Sequence, residues 1–174
     1  QVPQRTLGHA EWSEGVKTVC VYCGSSVGSR ADYTDAAGAL ARLLASRGIR
    51  TVYGAGNIGL MGVLADAALE AGGEVIGVIP EALVERELAH NGVTDLRIVK
   101  SMHERKAMMA DLSDAFIAMP GGFGTFEEIC EMLTWVQLGI HQKPCGIRNV
   151  AGYYDTLIAL IARAVHERSP RAQH

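Results

Sequence analysis

Short, nearly unbroken apolar runs alternate along this chain with longer stretches in which apolar residues return every three or four positions. These are the rhythms of buried strands and of helices packed by one face. Strands are predicted at Lys17–Tyr22, Arg50–Tyr53, Glu74–Ile79, Leu96–Val99, Ala115–Met119 and Pro144–Arg148. Helices are predicted at Asp32–Ser46, Leu60–Ala71, Met102–Leu112, Phe126–Leu138 and Tyr153–Val165, the first stopped near Gly48 and the second closed by Gly72-Gly73. Continuously apolar strands separated by helices imply a parallel sheet covered on both faces, and right-handed crossovers make it a doubly wound, Rossmann-like α/β sandwich. Residues 17–174 read as a single domain behind a polar, flexible arm over residues 1–16. Glu85–Gly92 is a loop-like insertion that could act as a lid.

In such sheets a ligand sits beyond the carboxyl ends of the strands. The segments that follow those ends are chemically unusual. They are Cys23-Gly24-Ser25-Ser26, Gly54-Ala55-Gly56-Asn57-Ile58-Gly59, Pro80-Glu81, Ser101-Met102-His103-Glu104-Arg105-Lys106 and Pro120-Gly121-Gly122-Phe123-Gly124-Thr125. Their convergence on one edge of the sheet is stronger evidence for a site than any one of them.

The last segment predicts an anion site. Glycines let a ligand approach the backbone, and the following helix offers free N–H groups at a positive dipole end. It lacks the Gly-Lys-Ser/Thr ending of a Walker loop. Gly54-x-Gly56-x-x-Gly59 matches the dinucleotide fingerprint, yet it lies in the second strand–helix unit, and of the acidic residues that follow, Glu74 is at the usual spacing but begins the next strand while Glu81 ends it. An NAD site is therefore the weaker reading. Ser101-x-x-Glu104 is a capping box, which puts Arg105 and Lys106 in the first turn of a helix, where cations oppose the dipole. That placement points to an anionic or polar ligand for Arg105. Thr125-x-x-Glu128 is a second apparent capping box, and a carboxylate one turn beyond a phosphate loop also suits a ribose whose anomeric carbon becomes positive.

Composition narrows the choice. The chain has 174 residues, 48% hydrophobic and 20% charged, with a net charge of −3. That balance suits an ordinary globular protein and gives no general pull toward nucleic acid or anionic membrane. No apolar run approaches the roughly 20 residues of a membrane span, and the N-terminal stretch lacks the apolar core of a signal peptide. A cytoplasmic protein is expected. Cys20-Val21-Tyr22-Cys23 has C-x-x-C spacing, but Cys20 lies in an apolar run and nothing completes a metal site. Buried or semi-buried thiols in a reducing compartment are expected, with no metal.

Pro120-Gly121-Gly122-x-Gly124-Thr125-x-x-Glu128 resembles the PGGxGTxxE signature of the LOG (Lonely Guy) family, cytokinin riboside 5′-monophosphate phosphoribohydrolases whose members were often labelled as possible lysine decarboxylases. The resemblance extends through Cys23–Ser26, Gly59–Gly62, Ser101–Lys106, Trp135–Pro144 and Asn149–Asp155, nearly the whole chain from Lys17 to Val165. It implies a Rossmann-like fold, a homodimer, and hydrolysis of the N-glycosidic bond of adenosine 5′-monophosphate or its N6-substituted forms, without metal or organic cofactor. Carried over by position, Arg105 and Glu128 match the catalytic pair and Gly121, Gly122, Gly124 and Thr125 the phosphate loop. Ser25, Met102 and Lys106 match the nucleotide site, and Glu81 lies near the base. The family commonly has three glycines after the second strand, where this chain has Ala55 in the middle. After the last helix the family continues into an apolar segment and a short helix, where this chain has His166–His174.

Two other functions fit parts of this pattern. A non-catalytic nucleoside monophosphate-binding protein would use the same pocket without needing Glu128. A lysine decarboxylase would need a Schiff-base lysine for pyridoxal phosphate, and none of Lys17, Lys100, Lys106 and Lys143 sits in such a context.

Overall fold

The computed structural model describes residues 15–86 and 88–167, so most of the expected N-terminal arm and the last seven residues lie outside it. Six strands form one parallel sheet in the order β4-β3-β2-β1-β5-β6: β1 Thr18–Tyr22, β2 Arg50–Tyr53, β3 Val75–Pro80, β4 Asp95–Val99, β5 Ala115–Ala118 and β6 Cys145–Ile147. The helices are α1 Ala31–Ser46, α2 Gly59–Glu70, α3 Met102–Leu112, α4 Phe123–Gln137 and α5 Asp155–His166.

Every residue of β1 and β3 is buried, as the apolar runs require of central strands covered twice. Alternate side chains feed two cores. Val19, Val21, Tyr53 and Val75 pack with α1 and α2 on one face. Cys20, Tyr22, Val52, Ile76 and Phe116 pack with Met109 of α3 and Ile129 and Met132 of α4 on the other. The chain winds outward from β1 to β4 and then returns through α3 to place β5 beside β1. The order reverses between β1 and β5, and a crevice opens there above the carboxyl ends of the strands.

The clearest departure from the sequence reading is the start of α4. The helix begins at Phe123, three residues early, because Gly122 takes the extended N-cap conformation and its carbonyl accepts the Phe126 N–H at 3.1 Å. Thr125 is therefore buried inside the first turn, and the capping box expected of Thr125 and Glu128 does not form. The Ser101 box does form, since its hydroxyl accepts the Glu104 N–H at 3.2 Å. The Glu104 carboxylate reaches one residue further back than expected, to the Lys100 N–H at 2.8 Å.

Glu85–Gly92, the loop-like insertion that could act as a lid, is fastened in its second half. The Asn57 N–H donates to the Leu88 carbonyl at 3.0 Å, the His90 N–H donates to the Ala55 carbonyl at 2.9 Å, and Gly56 and Ala89 form an antiparallel bridge.

Ala55 occupies the left-handed region at φ 62° and is fully buried. A side chain there costs about 1–2 kcal/mol relative to glycine. Its methyl finds room because residue 77, across the β2–β3 pair, is glycine: a Cβ on Gly77 would lie 2.7 Å from that of Ala55. Gly77→Ala is expected to lower unfolding free energy by about 1–3 kcal/mol through this overlap. Adding Ala55→Gly should restore most of the loss, as read by urea denaturation of the two single variants and the double variant.

Candidate active site

The crevice between β1 and β5 holds a pocket of about 280 Å3. Its lining includes Ser25, Met102, Arg105, Gly122, Gly124, Thr125 and Glu128, so seven of the ten residues singled out from the sequence share one cavity. Gly121 lies just outside, in the adjoining recess with Tyr33 and Tyr153, and its carbonyl accepts the Tyr153 hydroxyl. Glu81 is exposed in the 3-10 turn Glu81–Leu83, and it is Leu83 from that turn that reaches the pocket wall.

Lys106 also departs from expectation. Its ammonium lies 2.6 Å from Glu127 Oε1 and 3.1 Å from Glu131 Oε2, which ties α3 to α4 rather than facing the lined cavity. The hydrogen bond to Glu127 holds its pKa above the ordinary lysine value, with Glu131 adding to the effect and partial burial opposing it.

One end of the pocket is a donor surface. The first N–H groups of a helix have no partner within it, the N-cap residue Gly122 offers no side-chain cap, and Gly122, Phe123, Gly124 and Thr125 line the cavity. A helix start of this kind is the arrangement that favours an anion. Phe123 stands at the mouth with 91% of its surface exposed.

Arg105 supplies fixed charge from beneath. It is only 5% exposed, its Nε donates to the Val78 carbonyl at 3.0 Å and its Nη2 to the Gly54 carbonyl at 2.6 Å. The β2–β3 register ends at Tyr53 and Gly77, so these are the carbonyls just past the last paired residues. A side chain on Gly54 would overlap the guanidinium, and one on Gly59 would overlap the Ser25 backbone. The Gly54-x-Gly56-x-x-Gly59 pattern thus serves close packing between parts of this protein, which accounts for it without a dinucleotide. Sequence reasoning missed Gly54 and Val78 as partners of Arg105. The available signal was a glycine placed directly after a strand, opposite a helix that starts with a cation.

Glu128 lies one and a half turns into α4 on the pocket wall. Burial above all, and then the Glu128 charge, pushes up the pKa of the Cys23 thiol at the end of β1. Cys20 is raised mainly by burial as well. The two thiols of the C-x-x-C sequence belong to opposite faces of the sheet, because an odd separation along a strand inverts direction. They cannot pair with each other. Among the described residues no group of three or more His, Cys, Asp or Glu is placed to hold a metal ion. No described helix is long and apolar enough to cross a membrane.

Comparison with known proteins is consistent with this geometry. The model of the family described as "possible lysine decarboxylase" matches residues 61–174. Cytokinin riboside 5′-monophosphate phosphoribohydrolase LOG1 of Arabidopsis thaliana is 52% identical over 160 residues, 91% of this chain and 75% of that protein. The chain belongs to the LOG family. A probable member named LOGL1 from Oryza sativa subsp. japonica is 55% identical over 149 residues, 86% of this chain and 67% of its own. Among solved structures, the molybdenum cofactor binding protein of Rippkaea orientalis superposes with a TM-score of 0.65 at 23% identity, covering 84% of each chain. The molybdenum cofactor carrier protein of Chlamydomonas reinhardtii gives 0.61 at 20%, covering 83% of this chain and 98% of that one. At these identities the likeness to this LOG-family member is one of fold.

The raised thiol pKa values have a direct consequence. At about pH 8 the thiolate, the reactive form, is scarce wherever the pKa is pushed up, and Cys145 is pushed to about 11 by burial. In the native protein an aromatic disulfide reagent should modify exposed Cys130 first and leave Cys20 and Cys23 untouched. Denaturation should release all four thiols.

Proposed function

We propose that this chain hydrolyses the N-glycosidic bond of adenosine 5′-monophosphates, with N6-substituted forms among its substrates, releasing free base and ribose 5-phosphate. The observation that carries the reading is a single pocket that joins the open N-terminus of α4 to Glu128 and Arg105. The names of relatives at 52–55% identity point to the same reaction.

The 5′-phosphate docks on the N–H groups at Gly122–Thr125, where a dianion gains most from the dipole and free donors. Glu128 is five residues beyond Phe123, about 7.5 Å along the helix axis. That rise suits a ribose whose phosphate is held at the first turn. As the bond from the anomeric carbon to the base nitrogen breaks, its electron pair leaves with the base and positive charge gathers on the ribose. The Glu128 carboxylate stabilises that charge and orients a water, whose oxygen bonds to the anomeric carbon. One proton of that water is lost and the departing base nitrogen gains one, so the step balances with water alone. Arg105, pinned by backbone carbonyls, gives the substrate a fixed positive contact. Ser25 and Met102 line the walls around the sugar and base, Gly121 shapes the turn, and Glu81 stands outside the base end. Lys106 acts here through its bridge to α4.

The non-catalytic reading uses the same phosphate site, but a carboxylate close to a bound phosphate weakens binding. A decarboxylase finds no support in the pocket, whose lining residues include no lysine for a Schiff base. A reducing, cytoplasmic setting fits four cysteines present as thiols.

A homodimer is part of the same proposal. α5 buries none of its residues fully although Ile158, Ile161 and Val165 recur along one stripe, with Leu160 also exposed at 64%. An unpartnered apolar face of this kind suits a second copy. Ile158→Glu, on that stripe, is expected to shift the protein to monomer in sedimentation equilibrium, and unchanged assembly would place the interface elsewhere.

The catalytic proposal is tested by following product release from AMP, GMP, CMP and N6-isopentenyladenosine monophosphate. Free base should appear from the adenine nucleotides, and Glu128→Ala or Arg105→Ala should lower kcat by at least about 100-fold, the scale of losing a transition-state contact. Tight nucleotide binding with no base release by the folded wild type would leave the binding module as the correct reading.

A further inference from the structure

His90 lies outside the pocket with both ring nitrogens engaged. It is 9% exposed, and Gly92 packs against its ring, where a side chain at that glycine would collide. Its Nδ1 accepts the Gly92 N–H at 3.1 Å, so the ring proton sits on Nε2 and is donated to Asp66 Oδ1 on α2 at 2.7 Å. The imidazole is therefore locked in one tautomer between α2 and the connection that leads into β4.

Its backbone continues the chain of contacts toward the site. The His90 N–H donates to the carbonyl of Ala55, whose φ of 62° is held only by its surroundings. Two residues on, the Asn57 N–H is taken by the Leu88 carbonyl. The residue before Ala55 is Gly54, whose carbonyl receives Arg105 Nη2 at 2.6 Å.

We propose that His90 is a positioning residue for Arg105. The Asp66–His90–Gly92 clamp fixes residues 88–90 against residues 55–57, which keeps the left-handed turn at Ala55 and so sets the Gly54 carbonyl where the guanidinium docks. This rests on the role given to Arg105 in the proposed reaction. A displacement of about 1 Å in a catalytic group is enough to cost on the order of 100-fold in rate.

The test uses the full chain with N6-isopentenyladenosine monophosphate, well below each variant's melting temperature. His90→Ala and Asp66→Ala are each expected to lower kcat by about 10- to 100-fold with a much smaller change in KM. His90→Gln, which keeps an N–H donor within reach of Asp66, should recover most of the rate. In the Arg105→Ala background, His90→Ala should cause no further loss, and amide exchange at Asn57 and His90 should speed up in His90→Ala. Wild-type kcat in His90→Ala, beside an inactive Arg105→Ala, would overturn the inference and leave the proposed reaction standing. So would losses that multiply in the double variant. Should His90→Ala fail to fold, Asp66→Ala carries the same comparison. An active Arg105→Ala would instead overturn the assignment of Arg105 itself.

Discussion

A guanidinium held under the floor of the pocket is the interaction around which the rest is arranged. Taking Arg105 out of water costs several kcal/mol unless its donors are met. The carbonyls of Gly54 and Val78 meet two of them with charge-assisted bonds. Those carbonyls are available because the β2–β3 register ends at Tyr53 and Gly77. Residue 54 must lack a side chain for the guanidinium to fit, and α3 must start at Met102 for Arg105 to reach down. The cap made by Ser101 and Glu104 fixes that start. A site chemistry that looks local thus depends on where one strand stops and where one helix begins.

The charges are sorted by the same geometry. The N-terminus of α4 offers partial positive charge at one end of the pocket, and Glu127 and Glu128 stand further along its wall. Lys106 bridges Glu127 and Glu131, which neutralises much of the acid that would otherwise repel an incoming phosphate. Burial above all, and then the Glu128 charge, raises the pKa of Cys23 at the end of β1. A phosphate at the helix start and a carboxylate about 7.5 Å along it is the spacing that a nucleotide sugar spans.

The fold was legible because its central strands are buried on both faces. Nearly continuous apolar runs such as Val75–Ile79 leave little choice of partner, and the predicted elements hold to within about three residues at each end. The start of α4 was not legible from Thr125-x-x-Glu128, since a capping box and an N-terminal turn share the same letters and Gly122 decides between them through its backbone. Arg105 could be singled out by its unfavourable place at a helix start, but its carbonyl partners lie 27 and 51 residues away and no local pattern encodes them. Lys106 misled for the opposite reason: adjacent to a pocket cation in sequence, it turns toward α4 because two carboxylates one turn apart wait there. The apparent lid around Glu85–Gly92 reads as polar loop until the tautomer of His90 and the carbonyl of Ala55 are seen to hold it.

Proteins described as binding or carrying molybdenum cofactor have this fold at 20–23% identity. A doubly wound sheet offers such chains a crevice at the reversal of strand order and helix starts that favour anions, so the architecture makes room for a phosphate without deciding what is done with it. Bond cleavage requires a group whose value rises as charge develops in the transition state, and a bound phosphate alone gives no reason to keep a carboxylate nearby. In the proposed reaction Glu128, on the wall of this pocket, is the group given that task. The proposed reaction therefore stands or falls with the carboxylate and not with the phosphate site, which a simple binding protein of this fold would share.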